Sequence, residues 1–326
     1  MKILVYYLVY YFQITFIKVS NFYYWSLVFC LSAYFYFPSC SSHKERLSIP
    51  VWWGVRLGRT YASIEKLTAE YTEIYKQRKG LPAIELLVQA DTTTQLPKIN
   101  RLSLVYFSHL QKKLQEKQIP YTLILSHDAA HPLFSHSIQM QNWFYEYEQE
   151  LKQLCQERLK EYPPENFIIG THFWKIEKEE RHWENLINSI KLYYKGNLGY
   201  ATVPETVGTI RFWGKLDLIG IHHPGGIKGE EKKFARKWHP IVSQIALRHQ
   251  KPVFITQANL IGENKLQQLQ NRIRFWDKEV RIKGIVINNI FAQTALNDTL
   301  SQYFGIANDQ QLQNYLLELN AVKEGK

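Results

Sequence analysis

From residue 49 onward, short apolar runs alternate with longer segments in which apolar residues recur every three or four positions. The runs read as buried parallel strands, and the longer segments as amphipathic helices laid against them. Strand one is Ile49 to Val55 (IPVWWGV), strand two Ala83 to Gln89, strand three Tyr121 to Leu125 and strand four the run from Phe167 that closes with Gly170 and Thr171. Strands five to eight are Leu198 to Thr202, Leu216 to Ile221, Val253 to Thr256 and Gly284 to Ile290. Between them lie helices from Ser63 to Lys79, stopped by Gly80, from Leu102 to Lys117, from about Gln141 to Tyr162, from Arg181 to Tyr194 and from Lys232 to His249, with a last one near Gln310 to Leu319. Eight strands separated by helices, without an antiparallel hairpin signal, predict an α/β (β/α)8 TIM barrel over residues 49–326. A doubly wound open sheet is disfavoured, because no glycine-rich phosphate loop follows strand one.

Residues 1–48 obey a different pattern. No charge occurs between Lys18 and His43, and Val19 to Phe37 is rich in Phe, Tyr, Trp and Leu. Lys18, an apolar middle and Ser39-Cys40 resemble a bacterial lipoprotein signal, in which Cys40 becomes the lipidated first residue. The apolar stretch ahead of Lys18 is longer than a signal peptide needs, which places the functional start nearer Lys18. The rival reading is an uncleaved transmembrane anchor of about 20 residues. Either way, the expected location is the cell envelope, with the body tethered to a membrane through an N-terminal lipid or helix.

Composition narrows the class. The 326 residues are 45% hydrophobic and 14% aromatic, enough for a large core. The net charge of +11 comes from basic residues interspersed with acids, as in Glu177-Lys178-Glu179-Glu180-Arg181, so it describes solvated helix faces. No recognition motif accompanies it, and a nucleic-acid partner is not expected. Cysteines stand only at positions 30, 40 and 155. A disulfide framework in the body is therefore excluded, and Cys155 reads as a small buried hydrophobe.

In such a barrel the chemistry sits where the C-terminal ends of the strands gather. The tip of strand four carries Gly170-Thr171-His172, followed by Trp183 and by Lys195-Gly196-Asn197-Leu198-Gly199-Tyr200-Ala201. Around strand six stand Phe212-Trp213, Leu216-Asp217 and Ile219-Gly220-Ile221, and at strand seven Lys251-Pro252-Val253 and Thr256-Gln257. In this order and spacing the chain resembles the TIM-barrel glycoside hydrolases that place two glutamates on strands four and seven, most of all family 113, whose members include β-mannanases. The resemblance implies an oligosaccharide or polysaccharide ligand.

The departures fall on the chemistry. His172 stands where the resemblance implies the acid/base glutamate, and Gln257 where it implies the nucleophile. A retaining glycosidase needs two carboxyls about 5–5.5 Å apart, one to attack carbon and one to move the proton. Gln257 keeps a glutamate's shape but cannot supply the charge that forms a glycosyl-enzyme bond. An imidazole still moves protons, yet proton transfer contributes only roughly 10²–10⁴-fold. The expected protein is thus a non-catalytic, glycan-binding or scaffolding barrel.

The alternative is an active hydrolase whose acids have moved to Asp91, Asp128 or Glu205, each of which also reads as a turn or helix-start residue. His127, Asp128, His131, His136, His172, His222 and His223 invite a metal reading, but none belongs to an H-E-x-x-H zincin motif and adjacent His222 and His223 diverge on a strand. No metal or cofactor is expected. Trp52, Trp53, Trp143, Trp174 and Trp213 divide between core packing and sugar stacking. The candidate ligand-binding set is Trp53, Asp91, His127, His172, Trp174, His222 and Gln257. For the leader, labelled fatty acid should enter the wild-type protein and not Cys40→Ala; equal labelling, or an intact leader on the mature protein, would reject lipidation.

Overall fold

The computed structural model describes residues 51–57, 82–91, 93–127, 137–223, 231–258, 264–276 and 282–287. The leader with Cys40 and the helices expected at 63–79 and 310–319 lie outside the described residues. Among those described, no helix is long and apolar enough to cross a membrane.

Among the described residues, nine strands form one sheet: β1 Val51–Leu57, β2 Pro82–Ala90, β3 Pro97–Ile99, β4 Thr122–His127, β5 Asn166–Thr171, β6 Asn197–Thr202, β7 Leu218–His223, β8 Val253–Ala258 and β9 Ile282–Ile287. Apart from β3, each pairs in parallel with its neighbours, and β1 pairs with both β2 and β9. That double pairing closes eight strands into a ring, and leaves the three-residue β3 as an edge beside β2.

Helices cover the outside of this ring. They are α1 Arg101–Glu116, α2 Ser137–Glu157, α3 Glu180–Tyr193, α4 Glu231–His249 and α5 Lys265–Trp276. Each buries a stripe spaced for one face: Tyr106, Phe107, Leu110 and Leu114 on α1, and Trp183, Leu186, Ile187 and Ile190 on α3. The α1 start is capped by Asn100, whose side chain accepts the Ser103 N–H at 2.9 Å. Helix α2 stops at Glu157, five residues before the expected end, because Pro163 and Pro164 disfavour helical backbone ahead of them. Helix α5 went unrecognised in the sequence, although Leu269, Ile273 and Trp276 recur at helical spacing and are fully buried.

The hairpin between β2 and β3 corrects the expectation that none is present. Val88, Gln89 and Ala90 pair antiparallel with Ile99, Lys98 and Pro97. Asp91 builds the turn: its Oδ1 accepts the Thr93 N–H at 3.0 Å, the Thr94 N–H at 2.8 Å and the Thr94 hydroxyl at 3.0 Å. An Asp followed by Thr-rich polar residues and a proline is the signal that was available in the sequence.

Two apolar layers result from strand alternation. Ala83, Ile124, Ile168, Ala201, Leu218, Phe254 and Val286 form one cluster, one residue from each of seven strands, and fill the ring. The intervening residues face the helices in a second, larger cluster that contains Leu125, Ile169, Tyr200, Ile221 and Ile255. Cys155 is buried in that second layer, and burial pushes its thiol up to about 12, as a small hydrophobe requires. Gly220 on β7 lies opposite Ala201 on β6, and a Cβ there would come within 2.5 Å of the Ala201 Cβ and 2.8 Å of its Cα. Gly220→Ala should therefore cost about 1–3 kcal/mol in urea denaturation through overpacking against backbone. Exposed Gly208, whose added Cβ would meet only Ile241 at 3.9 Å, should tolerate the same change within about 0.5 kcal/mol.

Candidate functional site

A parallel ring puts all strand C-termini at one end. Asp91 follows β2, His127 ends β4, His172 follows β5, and His222 and Gln257 lie next to last on β7 and β8, directly in register with each other. All five therefore share one rim. Trp53 lies in the first half of β1, in register with Ile287 at the end of β9. Asp128, His131 and His136 are outside the described residues.

His172 is held in an unusual way. Its φ of 53° is in the left-handed region, which a non-glycine residue adopts only when its surroundings over-determine it. Those surroundings are visible on both sides. The His172 N–H donates to the Ala201 carbonyl of β6 at 2.8 Å, and the next N–H, of Phe173, donates to the Tyr200 hydroxyl at 2.8 Å. The Phe173 ring then enters a pocket of aromatics. It stacks on His127 at 5.0 Å between centroids and meets Trp143 and Tyr147 edge-on at 5.3 and 5.6 Å.

The loop beyond Phe173 carries a carboxylate that sequence reasoning missed. Glu177 is only 2% exposed. Its Oε1 accepts the Tyr200 hydroxyl at 3.0 Å and the Thr202 hydroxyl at 2.6 Å, and lies 3.6 Å from His172 Nδ1. Burial, and then the adjacent Glu177 carboxylate, push the Tyr200 phenol well above its usual range, so it stays protonated and can donate. The Trp183 indole N–H fixes the loop further by donating to the Ile176 carbonyl at 2.8 Å. In the sequence, Glu177 sat inside a mixed-charge run and looked like a solvated helix residue. Its pairing with β6 is a long-range contact that no local pattern marks.

The other expected site residues separate in character. His127 is half-buried, with Nε2 3.4 Å from the His172 carbonyl. Trp174 is 46% exposed, with the Lys175 ammonium 5.2 Å from its ring, whereas Trp143 and Trp213 are core. Glu205 is exposed in the turn after β6. Asp91 is engaged by its own turn and by Lys98 at 3.4 Å. The backbone N–H groups of Thr94 and Thr93 pull its carboxyl down to about 2, which suits a fixed turn anion rather than a proton shuttle. Among the described residues, no three His, Cys, Asp or Glu side chains are grouped to hold a metal ion. A groove of about 600 Å³ lies beside the hairpin, lined by residues such as Asp91, Arg101, Glu150 and Arg158 and by neither His127 nor His172.

Residues 130–287 match the family model of Glycoside Hydrolase Family 113. Among solved structures, the complex of a family 113 β-1,4-mannanase superposes with a TM-score of 0.68 at 13% identity, covering 84% of this chain and 98% of that one. A family 113 β-mannanase from Alicyclobacillus acidocaldarius gives 0.64 at 13%, covering 84% and 96%. A β-glucuronidase from Ruminococcus gnavus gives 0.61 at 9%, covering 82% of this chain and 50% of that one. No curated protein matches significantly. The chain thus has a glycoside hydrolase family 113-like fold.

The Tyr200 hydroxyl joins two backbone-distant parts of this rim. Tyr200→Phe should lower stability by about 1–3 kcal/mol in urea denaturation, because it leaves the Phe173 N–H and a buried carboxylate short of a partner. A midpoint equal to that of the wild type would show that the hydroxyl is replaceable.

Proposed function

We propose that this chain is an envelope protein, tethered through its N-terminal segment, whose barrel binds glycans at the rim and no longer performs retaining hydrolysis. The observation that carries the reading is the residue at the tip of β5. A barrel with a family 113-like fold has an imidazole, His172, at the position where the resemblance places the proton-donating carboxyl, and an amide, Gln257, where it places the nucleophile. The fold transfers the scaffold; the chemistry has to be argued from the site itself.

Charge decides the chemical argument. Without a carboxylate at position 257, nothing there can attack the anomeric carbon or balance an oxocarbenium ion. His172 keeps the capacity to donate or accept one hydrogen bond and to move a proton. Exposed Trp174 adds a face of the kind on which a sugar ring packs. Hydrogen bonding and stacking are sufficient for binding and insufficient for glycosyl transfer. Of the carboxylates near the rim, Asp91 is taken up by its turn and Glu177 is buried, so neither is placed to act on a bound sugar.

Wild-type protein should show no turnover of β-mannan or manno-oligosaccharides, while calorimetry should detect binding of the oligosaccharides. Gln257→Glu combined with His172→Glu should gain hydrolysis if only the acids were lost. Robust wild-type hydrolysis, abolished by changing Asp91, Asp128 or Glu205, would overturn the non-catalytic reading in favour of an enzyme with relocated acids.

A further inference from the structure

Glu177 is too well buried to touch a ligand, yet its placement is costly enough to need a reason. A carboxylate removed from water requires hydrogen bonds and an opposite charge. Hydrogen bonds reach only one of its oxygens: Oε1 accepts from Tyr200 and Thr202 of β6. Its Oε2 is buried and accepts no hydrogen bond among the described residues. The one ionisable base paired with this carboxylate among them is the imidazole of His172, 3.6 Å away at Nδ1. Meanwhile the His172 side chain keeps 30% of its surface exposed at the rim.

We propose that Glu177 is the positioning residue for His172, and that the pair makes a proton-holding site at the tip of β5, with Nδ1–H turned to the carboxylate and Nε2 presented to a ligand hydroxyl. The geometry is that of a carboxylate placed behind an imidazole to select one tautomer and one ring orientation. The surrounding groups are consistent with it. Tyr200 and Thr202 hold Oε1 from β6, while Oε2 is left to receive a further donor. His127 on β4 has its Nε2 3.4 Å from the His172 backbone carbonyl. The left-handed φ of His172 and the anchoring of Phe173 fix the backbone from which the ring projects. An imidazole at position 172 can turn an N–H toward Glu177, as either tautomer or charge state allows at one of its nitrogens.

The last step, contact with a ligand hydroxyl, rests on the glycan-binding reading; the pairing itself does not. The test uses the full chain with ¹⁵N-labelled histidine, the His172 signals being identified by their loss in His172→Gln. In the wild type without ligand, nitrogen shifts should show Nδ1 protonated. In Glu177→Gln, which keeps an oxygen to accept from Tyr200 and Thr202, that preference should be lost while circular dichroism is unchanged. A wild-type spectrum with the proton on Nε2 alone would overturn the proposal even if the variant failed to fold, and so would identical His172 shifts in a folded Glu177→Gln. Calorimetry with manno-oligosaccharides is the separate arm. Glu177→Gln should weaken binding roughly tenfold, the equivalent of one well-placed hydrogen bond. Absence of any binding by the wild type would count against the glycan reading and leave the nitrogen shifts to decide the pair.

Discussion

The rim of this barrel depends on a single phenol. Tyr200 projects from β6 away from the ring interior, into the layer between sheet and helices, where it is fully buried. A buried hydroxyl must be satisfied, and this one is satisfied twice: it accepts the Phe173 N–H and donates to Glu177. Both partners belong to the loop that leaves β5. One side chain thereby sets where that loop starts, and so where His172 stands. Trp183 from α3 repeats the logic by seating its ring against Tyr200 at 4.9 Å and its N–H on the Ile176 carbonyl.

The aromatic content of the chain finds its physical use here. Phe173, Trp143, Tyr147, Trp183, Tyr200, Phe212 and Trp213 form contiguous ring contacts beneath the tips of β5 and β6. Such a layer is rigid because large flat side chains have few rotamers and interlock at fixed angles. Rigidity matters more for a rim than for the rest of the barrel, since ligand contacts are lost within fractions of an ångström. The strained backbone at His172 is tolerated because this packing over-determines it.

The architecture of this barrel does not depend on the chemistry at its strand tips. The ring, the inner apolar layer and the close approach of β6 and β7 at Ala201 and Gly220 are requirements of closing eight strands, and they remain whatever the tips carry. Retaining glycosidic cleavage asks in addition for two carboxyls at a set separation, which ring closure does not by itself provide.

How much of this was legible in the sequence follows from range. The apolar runs of β2 and of β4 to β9 and the stripes of α1 and α3 are local patterns, readable because burial on both faces makes a strand a continuous apolar run and burial on one face gives a helix a period of 3.6. The identities at 172 and 257 were equally plain, since a residue's chemistry does not depend on its neighbours. The short strand β3 was missed because a three-residue strand has too few positions to show a period, and α5 because its polar residues outnumber its buried ones. Trp143 and Trp174 could not be told apart as core and surface, one 3% and the other 46% exposed, because burial is decided by what lies opposite. Glu177 was the largest omission. Its neighbours in the chain are charged and solvated, while the groups that give it meaning, Tyr200 and Thr202, are 23 and 25 residues away. The sequence by itself determined the barrel and the identities of the residues at its rim, through patterns a few residues long. Tertiary structure alone decided which carboxylate stands behind the imidazole, because electrostatic partnership depends on distance in space and β6 pairs beside β5 only once the sheet has formed.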